Sequence, residues 1–379
     1  MPDPVASTHQ PRIAILASFS GAGGVERMLV NLMHGLVAAG QSLDLLLIRD
    51  EGPHLRGLPA GVNRIALGSR HSLLAVPALA LYLRRHRPRA LLAAKDRAGR
   101  AAILARWLAG ADTRLVLRLG TNLSAALEGR PTWQRLGRLG PIRLLYPHLD
   151  RIVAVSQGVA ADTASITGLP VSAIRVIHNP VITPDLARRA AEPCPHPWCQ
   201  GEGPPFILGA GRLQRQKDFP TLIRAFAQLR QERACRLIII GEGRERPALE
   251  ALISQLGLEG QVDLPGFQAN PLSFLARARL FVLSSAWEGS PNVLTEAMAL
   301  GTPVVATDCP SGPAELLDGG RIGPLTRVGD VDALARAMRQ ALDQPAPPDL
   351  LRAAVADYEQ SCSARHYLEE LVGRGSDAP

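Results

Sequence analysis

Lysine is almost absent: the 42 basic residues include only Lys95 and Lys217. Aromatic residues make up 4% of the chain, so aliphatic side chains must fill the cores. Basic positions are not interleaved with aromatics, and no nucleic-acid motif is present, so no nucleic-acid partner is expected. Long hydrophobic runs are missing too. The longest, Leu73 to Leu83, is too short to span a bilayer and contains Pro77. Met1 to Gln10 is polar and lacks the basic-then-apolar order of a signal peptide. The five cysteines are scattered, which fits a reducing cytoplasm. Cys194-Pro-His-Pro-Trp-Cys199 offers at most three ligands in a proline-rich stretch, and no Asp-x-Asp-like element lies between two strands. No metal is expected on either count.

What is present points to two domains, since 379 residues exceed one typical core. Hydrophobic residues reach 46%, enough for a globular chain. The net charge of +8 is unevenly spread. Residues 1–180 hold 22 basic and 10 acidic side chains, a balance of +12, whereas residues 181–379 hold 20 and 24, a balance of −4. Arginine-rich composition accounts for part of the excess. The asymmetry also fits a first half that meets an anionic membrane surface or a phosphorylated lipid acceptor. Arg84-Arg85-His86-Arg87-Pro88-Arg89 follows the longest apolar run, and reads either as a helix C-terminus or as a lipid-facing patch.

Short apolar runs alternate with helical periodicity. Strands are expected at Arg12–Ser18, Ser42–Ile48, Val62–Leu67, Ala90–Ala94, Arg114–Leu119, Arg151–Val155 and Ile174–Ile177. That alternation argues for an α/β fold with a doubly wound parallel sheet. Gly21-Ala-Gly-Gly-Val-Glu26 joins the first strand to a helix, but Glu26 stands where a dinucleotide fingerprint needs its last glycine. Ser156 is expected to cap a helix rather than to act as a nucleophile. In the second half, Phe206–Gly211 and Leu237–Gly243 are strands running into glycine turns, and Leu280–Ser284 is another strand.

One stretch dominates, running from Trp287 to Ala306. Ser290 is expected to cap a helix with Pro291 at its first position, and Gly301 to end it before a strand at Pro303–Ala306. Free amides around Asn292 and Val293, with the helix dipole, suit a pyrophosphate. Glu288 precedes the helix and Glu296 lies about a turn and a half into it. The pair suits a ligand with phosphates in the middle and hydroxyls at both ends.

Glu288-x7-Glu296 with Gly-x-Pro-Asn between and Ala-Met-Ala-x-Gly-x-Pro-Val-Val after resembles the signature of retaining glycosyltransferases of family 4, of the bacterial polysaccharide and lipopolysaccharide type. Arg212-Leu…Gln-Lys217-Asp218, Gly23-Gly24-x-Glu26, Asn179-Pro180, Pro265-Gly266-Phe267 and Gly312-Pro-Ala-Glu315 fit the same family. The resemblance implies a GT-B fold, two Rossmann-like domains facing a central cleft. The expected layout is 1–181 for the acceptor-side domain, 182–204 for the linker, 205–360 for the nucleotide-sugar domain, and 361–379 for a helix that returns to the first domain.

It further implies that Glu288, Arg212 and Lys217 carry catalysis. Gly23, Gly24, Gly211, Arg212, Lys217, Gly243, Phe267, Glu288, Asn292, Val293, Leu294 and Glu296 would bind the donor. Arg118 and Asn122 are candidates for acceptor or sugar, and Glu315 reads as near the phosphates or as a helix cap. The expected donor is a nucleotide sugar, UDP-linked rather than GDP-linked, with no cofactor or metal. The expected acceptor is a hydroxyl of a glycan or lipid-linked molecule, met in the cytoplasm or on the inner face of the cell membrane. Two alternatives stay open: a nucleotide-sugar epimerase of the same fold, and a basic membrane-binding protein without catalysis.

Overall fold

The computed structural model describes residues 12–21, 23–201 and 203–373. The polar Met1–Gln10 stretch and Ala22 of the glycine loop lie outside them. Two parallel sheets organise the described chain. The first contains β1 (Ile13–Ser20), β2 (Leu43–Glu51), β3 (Val62–Ala66), β4 (Ala90–Ala93), β5 (Arg114–Leu119), β6 (Arg151–Ala154) and β7 (Ile174–Val176). Its order is β3-β2-β1-β4-β5-β6-β7. The second contains β8 (Phe206–Ala210), β9 (Arg236–Ile240), β10 (Val262–Asp263), β11 (Leu280–Leu283), β12 (Val304–Thr307) and β13 (Leu325–Thr326), in the order β10-β9-β8-β11-β12-β13.

The central strands β1, β4, β8 and β11 are largely apolar because helices cover both faces of each sheet. In β1, Ile13, Ile15 and Ala17 enter one core layer, while Ala14 and Leu16 enter the other. The second sheet divides in the same way, with Leu208 on one side and Ile207 on the other.

Residues 182–204 do more than connect the sheets. They carry helix Leu186–Ala191, whose Leu186 and Ala190 are buried with Cys194 in the core of the second domain. Cys194 and Cys199, read from the sequence as candidate ligands among cysteines scattered as in a reducing compartment, instead form a disulfide. The His196 ring between them accepts from the Trp198 amide and meets Asp263 at 2.7 Å. Among the described residues, no three His, Cys, Asp or Glu side chains come together as a ligand set.

The chain then crosses back. Helix Gln360–Val372 packs on helix Gly24–Ala38, and its Ala364, Tyr367 and Leu371 complete a core layer of the first sheet. Gly35 makes this approach fit, since a Cβ there would lie 2.6 Å from that of Ala364. At the hinge, Val181 and Ile182 both donate to the Tyr358 carbonyl, and Gln360 donates back to Ile182.

Candidate functional site

Each sheet reverses its winding once, between β1 and β4 in the first domain and between β8 and β11 in the second. The loops leaving such neighbours diverge and leave a crevice beyond the strand ends. The two crevices face each other. Arg27 pairs with Glu296, Asn179 donates to Asn292, and Asn122 donates to Ser311, each across the domains. A Cβ on Gly289 would strike the Gly120 carbonyl at 2.2 Å.

The second-domain wall is built by two stitched loops. Gly211 leaves β8 at φ +153, and Lys217 lies over it with Cε only 2.8 Å from where a Cβ would sit. Ser284 donates to the Lys217 carbonyl, Ala286 to Gln216, and Gln216 to Trp287, at 2.7 to 2.8 Å. This frame delivers the Lys217 ammonium to Glu288 Oε1 at 2.5 Å, where Ser285 Oγ also donates at 2.7 Å. Glu288 is buried. Gly243 is needed for a different reason: a Cβ would run into the Leu213 carbonyl. Arg212 is exposed and pairs with no carboxylate among the described residues. Phe267 is half exposed after Gly266, which adopts φ +83.

Helix Asn292–Leu300 opens one residue later than expected. Pro291 is its cap, with an extended ψ of 88, and Ser290 does not cap it. The Pro291 carbonyl takes the amides of Leu294 and Thr295, so the Leu294 amide is not available to a donor, and its side chain is in the core. The amides of Asn292 and Val293 make no backbone hydrogen bond among the described residues. They remain as the anion-facing end of the helix. The Asn292 side chain is taken up by Asn179 at 2.8 Å. Further along, Glu296 is buried, its Oε1 is held by Arg27, and its Oε2 has no partner. Burial raises the Glu296 pKa above the usual carboxylate range, with Arg27 and then Arg189 opposing it.

The first-domain wall differs from expectation. Arg118 is buried, not on the cleft surface; it donates to Asn179 Oδ1 at 2.8 Å and so braces Asn179 against Asn292. Asn122 caps helix Leu123–Ala126 by accepting from Ala125 and spends its amide on Ser311 at 3.0 Å. Both side chains hydrogen-bond to protein groups. Gly23 caps helix Gly24–Ala38, and the space a Cβ would fill there holds the Glu26 carboxylate. A Cβ on Gly24 would lie 3.9 Å from the side-chain nitrogen of Asn292.

Ser156 caps helix Gln157–Thr167 through Val159. Glu315 reaches the same helix end from the other domain, accepting from the Gln157 and Gly158 amides at 2.8 Å each.

Comparison with known proteins fits this arrangement. Residues 198–360 match the family model for glycosyl transferases group 1, and residues 22–184 match that for Glycosyltransferase Family 4. The chain is 31% identical over 277 residues to the N-acetylgalactosamine-N,N'-diacetylbacillosaminyl-diphospho-undecaprenol 4-alpha-N-acetylgalactosaminyltransferase of Campylobacter jejuni, covering 73% of this chain and 71% of that one. It belongs to the family 4 glycosyltransferases. A second relative of this glycosyltransferase is LpsE, a lipopolysaccharide core biosynthesis glycosyltransferase of Rhizobium meliloti, 34% identical over 54% of this chain and 58% of the relative.

Solved structures share its fold. The galactosyltransferase WaaB aligns with a TM-score of 0.71 at 20% identity, over 96% of this chain and 100% of the other. Anabaena Alr3699/HepE with UDP-glucose aligns at 0.74 and 21%, over 95% and 99%. The glycosyltransferase therefore has the two-domain GT-B architecture.

Two further residues, Lys95 and Arg27, lie in the cleft but are not among the residues expected there. Lys95, just beyond β4, is half exposed and 3.9 Å from Glu26. Burial lowers its pKa, Glu26 opposes that, and the nearby Arg118 and Arg212 lower it further. Its rarity and its place at the strand end were signals open to reading. Arg27 was hidden among many arginines.

Proposed function

We propose that this glycosyltransferase moves a hexosyl or N-acetylhexosaminyl group from a UDP-sugar to a hydroxyl of a lipid-linked or glycan acceptor, with retained anomeric configuration. The observation that carries the reading is the pair of part-buried Lys217 and buried Glu288 beside the free helix amides of Asn292 and Val293, where the two crevices meet. Arg212, Lys217 and those amides hold the pyrophosphate. As the bond from the anomeric carbon to the phosphate oxygen breaks, negative charge grows on the phosphate and is met by these groups. Positive charge grows on the sugar, which Glu288 stabilises. The departing phosphate oxygen takes the proton of the acceptor hydroxyl, whose oxygen attacks on the same face. Glu296 holds the ribose hydroxyls, and Phe267 lies beside the base. Two cations and a helix end supply the charge neutralisation, so the reaction proceeds without metal. The diphospho-undecaprenol in the name of the Campylobacter relative and the lipopolysaccharide role of LpsE support the acceptor class. UDP in the HepE complex supports the donor class.

The acceptor chemistry calls for contact with a lipid surface. No helix of the described chain is long and apolar enough to cross a membrane. Helices Val76–His86, Asp96–Ala109 and Thr132–Leu145 pack side by side on one face of the first sheet. They expose Leu81, Trp107, Leu108, Trp133, Leu136 and Leu144. In helix Thr132–Leu145 only Ile142 is buried, and residues 129–149 hold four arginines and no acid. An exposed helix that mixes Trp and Leu with arginine suits an anionic interface. Arg89 is less free, since it donates to the Val372 carbonyl.

The test is incubation with a panel of nucleotide sugars and cell lipid extract, with and without chelator. Transfer from a UDP-sugar in chelator is expected. Activity abolished by chelator and restored by manganese contradicts the metal-free step. A new nucleotide sugar formed from donor alone contradicts transfer.

A further inference from the structure

We propose that Arg27 is a positioning residue for the donor ribose: from the first domain it holds Glu296 Oε1, and so leaves the buried Oε2 ionised and aimed at the ribose hydroxyls. This rests on the reading that Glu296 seats the ribose. Arg27 is the fourth residue of helix Gly24–Ala38, and Glu296 the fifth of helix Asn292–Leu300. The two side chains meet although 269 positions separate them. Glu296 is only 4% exposed, and its second oxygen has no partner.

A carboxyl group buried alone takes up a proton, because desolvation penalises its charge. The protonated acid would turn one acceptor oxygen into a donor, whereas a ribose diol needs acceptors. Arg27 opposes this by occupying one oxygen with a charge-assisted bond. The charged groups acting on Glu296 are Arg27 and, from helix Leu186–Ala191, Arg189; both favour the ionised form. Arg27 is the one that bonds it directly, so the other oxygen keeps a fixed direction. Because the two residues belong to different domains, the ribose seat is complete only when the domains face each other as they do here.

The experiment is calorimetric binding of UDP and 2′-deoxy-UDP, or the GDP pair if the native chain prefers that base, between pH 5 and 8. The native chain should favour the ribonucleotide by about tenfold or more, the worth of a hydrogen bond to a charged group. Arg27→Gln should bring that ratio close to one, leave binding of the deoxy form nearly unchanged, and move the acid limb of UDP binding to higher pH. Arg27→Lys, which keeps the charge, should show an intermediate ratio and an unshifted limb. Glu296→Gln should also lose the ratio, with no further loss in the double variant. A native ratio in both Arg27 variants, or equal loss of UDP and 2′-deoxy-UDP, overturns the role of Arg27 alone. No nucleotide binding by the native chain, or no preference for ribose in it, overturns the donor reading and this inference with it.

Discussion

At the scale of single residues, the Lys217–Glu288 pair separates catalysis from stability. Removing Lys217 from this mostly buried ion pair strands Glu288 and costs about 3 kcal/mol, the low end for a fully buried pair. Lys217→Ala should therefore lower the melting temperature as well as turnover, the latter by roughly 100-fold or more. Adding Glu288→Gln should recover most of the melting temperature and none of the turnover. Parallel melts and donor assays on the single and double variants check this; normal turnover in Lys217→Ala would remove the lysine from the reaction. Lys217 was legible because a chain that prefers arginine keeps only two lysines. The protein partners of Arg118 and Asn122 were not legible, for a physical reason. Position at the end of β5 shows which end of the sheet a residue occupies, but not that its side chain takes Asn179 or Ser311 as partner.

Among elements, the central strands were the most legible, since they are apolar runs closed by glycine, proline or a charge. The start of helix Asn292–Leu300 was harder, because Ser290 and Pro291 both favour a helix entrance. The ψ of Pro291 decides it, and with it the loss of the Leu294 amide. Cross-domain caps cannot be read locally at all. Glu315 lies 157 positions from Gly158, yet it satisfies the first amides of that helix. Glu315→Gln should weaken this charged cap by about 1 kcal/mol, read as a lower melting temperature; an unchanged melt would show the cap to be incidental.

A second element-scale prediction concerns the junction before helix Gln360–Val372, where His178 stacks on Tyr358 with centroids 4.3 Å apart. Burial lowers the His178 pKa, with His366 adding to that, while the Val155 backbone, Asp357 and Glu315 oppose it. The native state thus favours the neutral ring. Its contribution is full above the ordinary value near 6.5 and is lost as the pH falls below it. Melts from pH 8 to 5 should show a loss that His178→Phe reduces; an equal loss in the variant would place the acid sensitivity elsewhere.

For the whole molecule, two facing Rossmann-like domains were legible from the alternation of runs and from the Glu288–Glu296 stretch. The +12 and −4 halves were visible as well, but not which surface gathers the charge. Sequence proximity singled out Arg84–Arg89, whereas packing sets helix Val76–His86, which carries Arg84 and Arg85, in one layer with helix Thr132–Leu145 and ties Arg89 to the C-terminal helix. Each cation near an anionic leaflet contributes about 1 kcal/mol, screened over roughly 8–10 Å. Changing Arg84, Arg85, Arg130 and Arg135 to Gln should abolish salt-sensitive co-sedimentation with anionic vesicles while leaving donor binding intact. Equal binding to anionic and zwitterionic vesicles would assign the charge to composition. The central claim is that one cleft carries a sugar from nucleotide to acceptor without inverting it. The direct measurement is the anomeric configuration of the transferred sugar, read from proton coupling in the NMR spectrum of the product and compared with that of the donor. An α-linked product from an α-linked UDP-sugar, formed in chelator, is the result this account predicts; a β-linked product would contradict it.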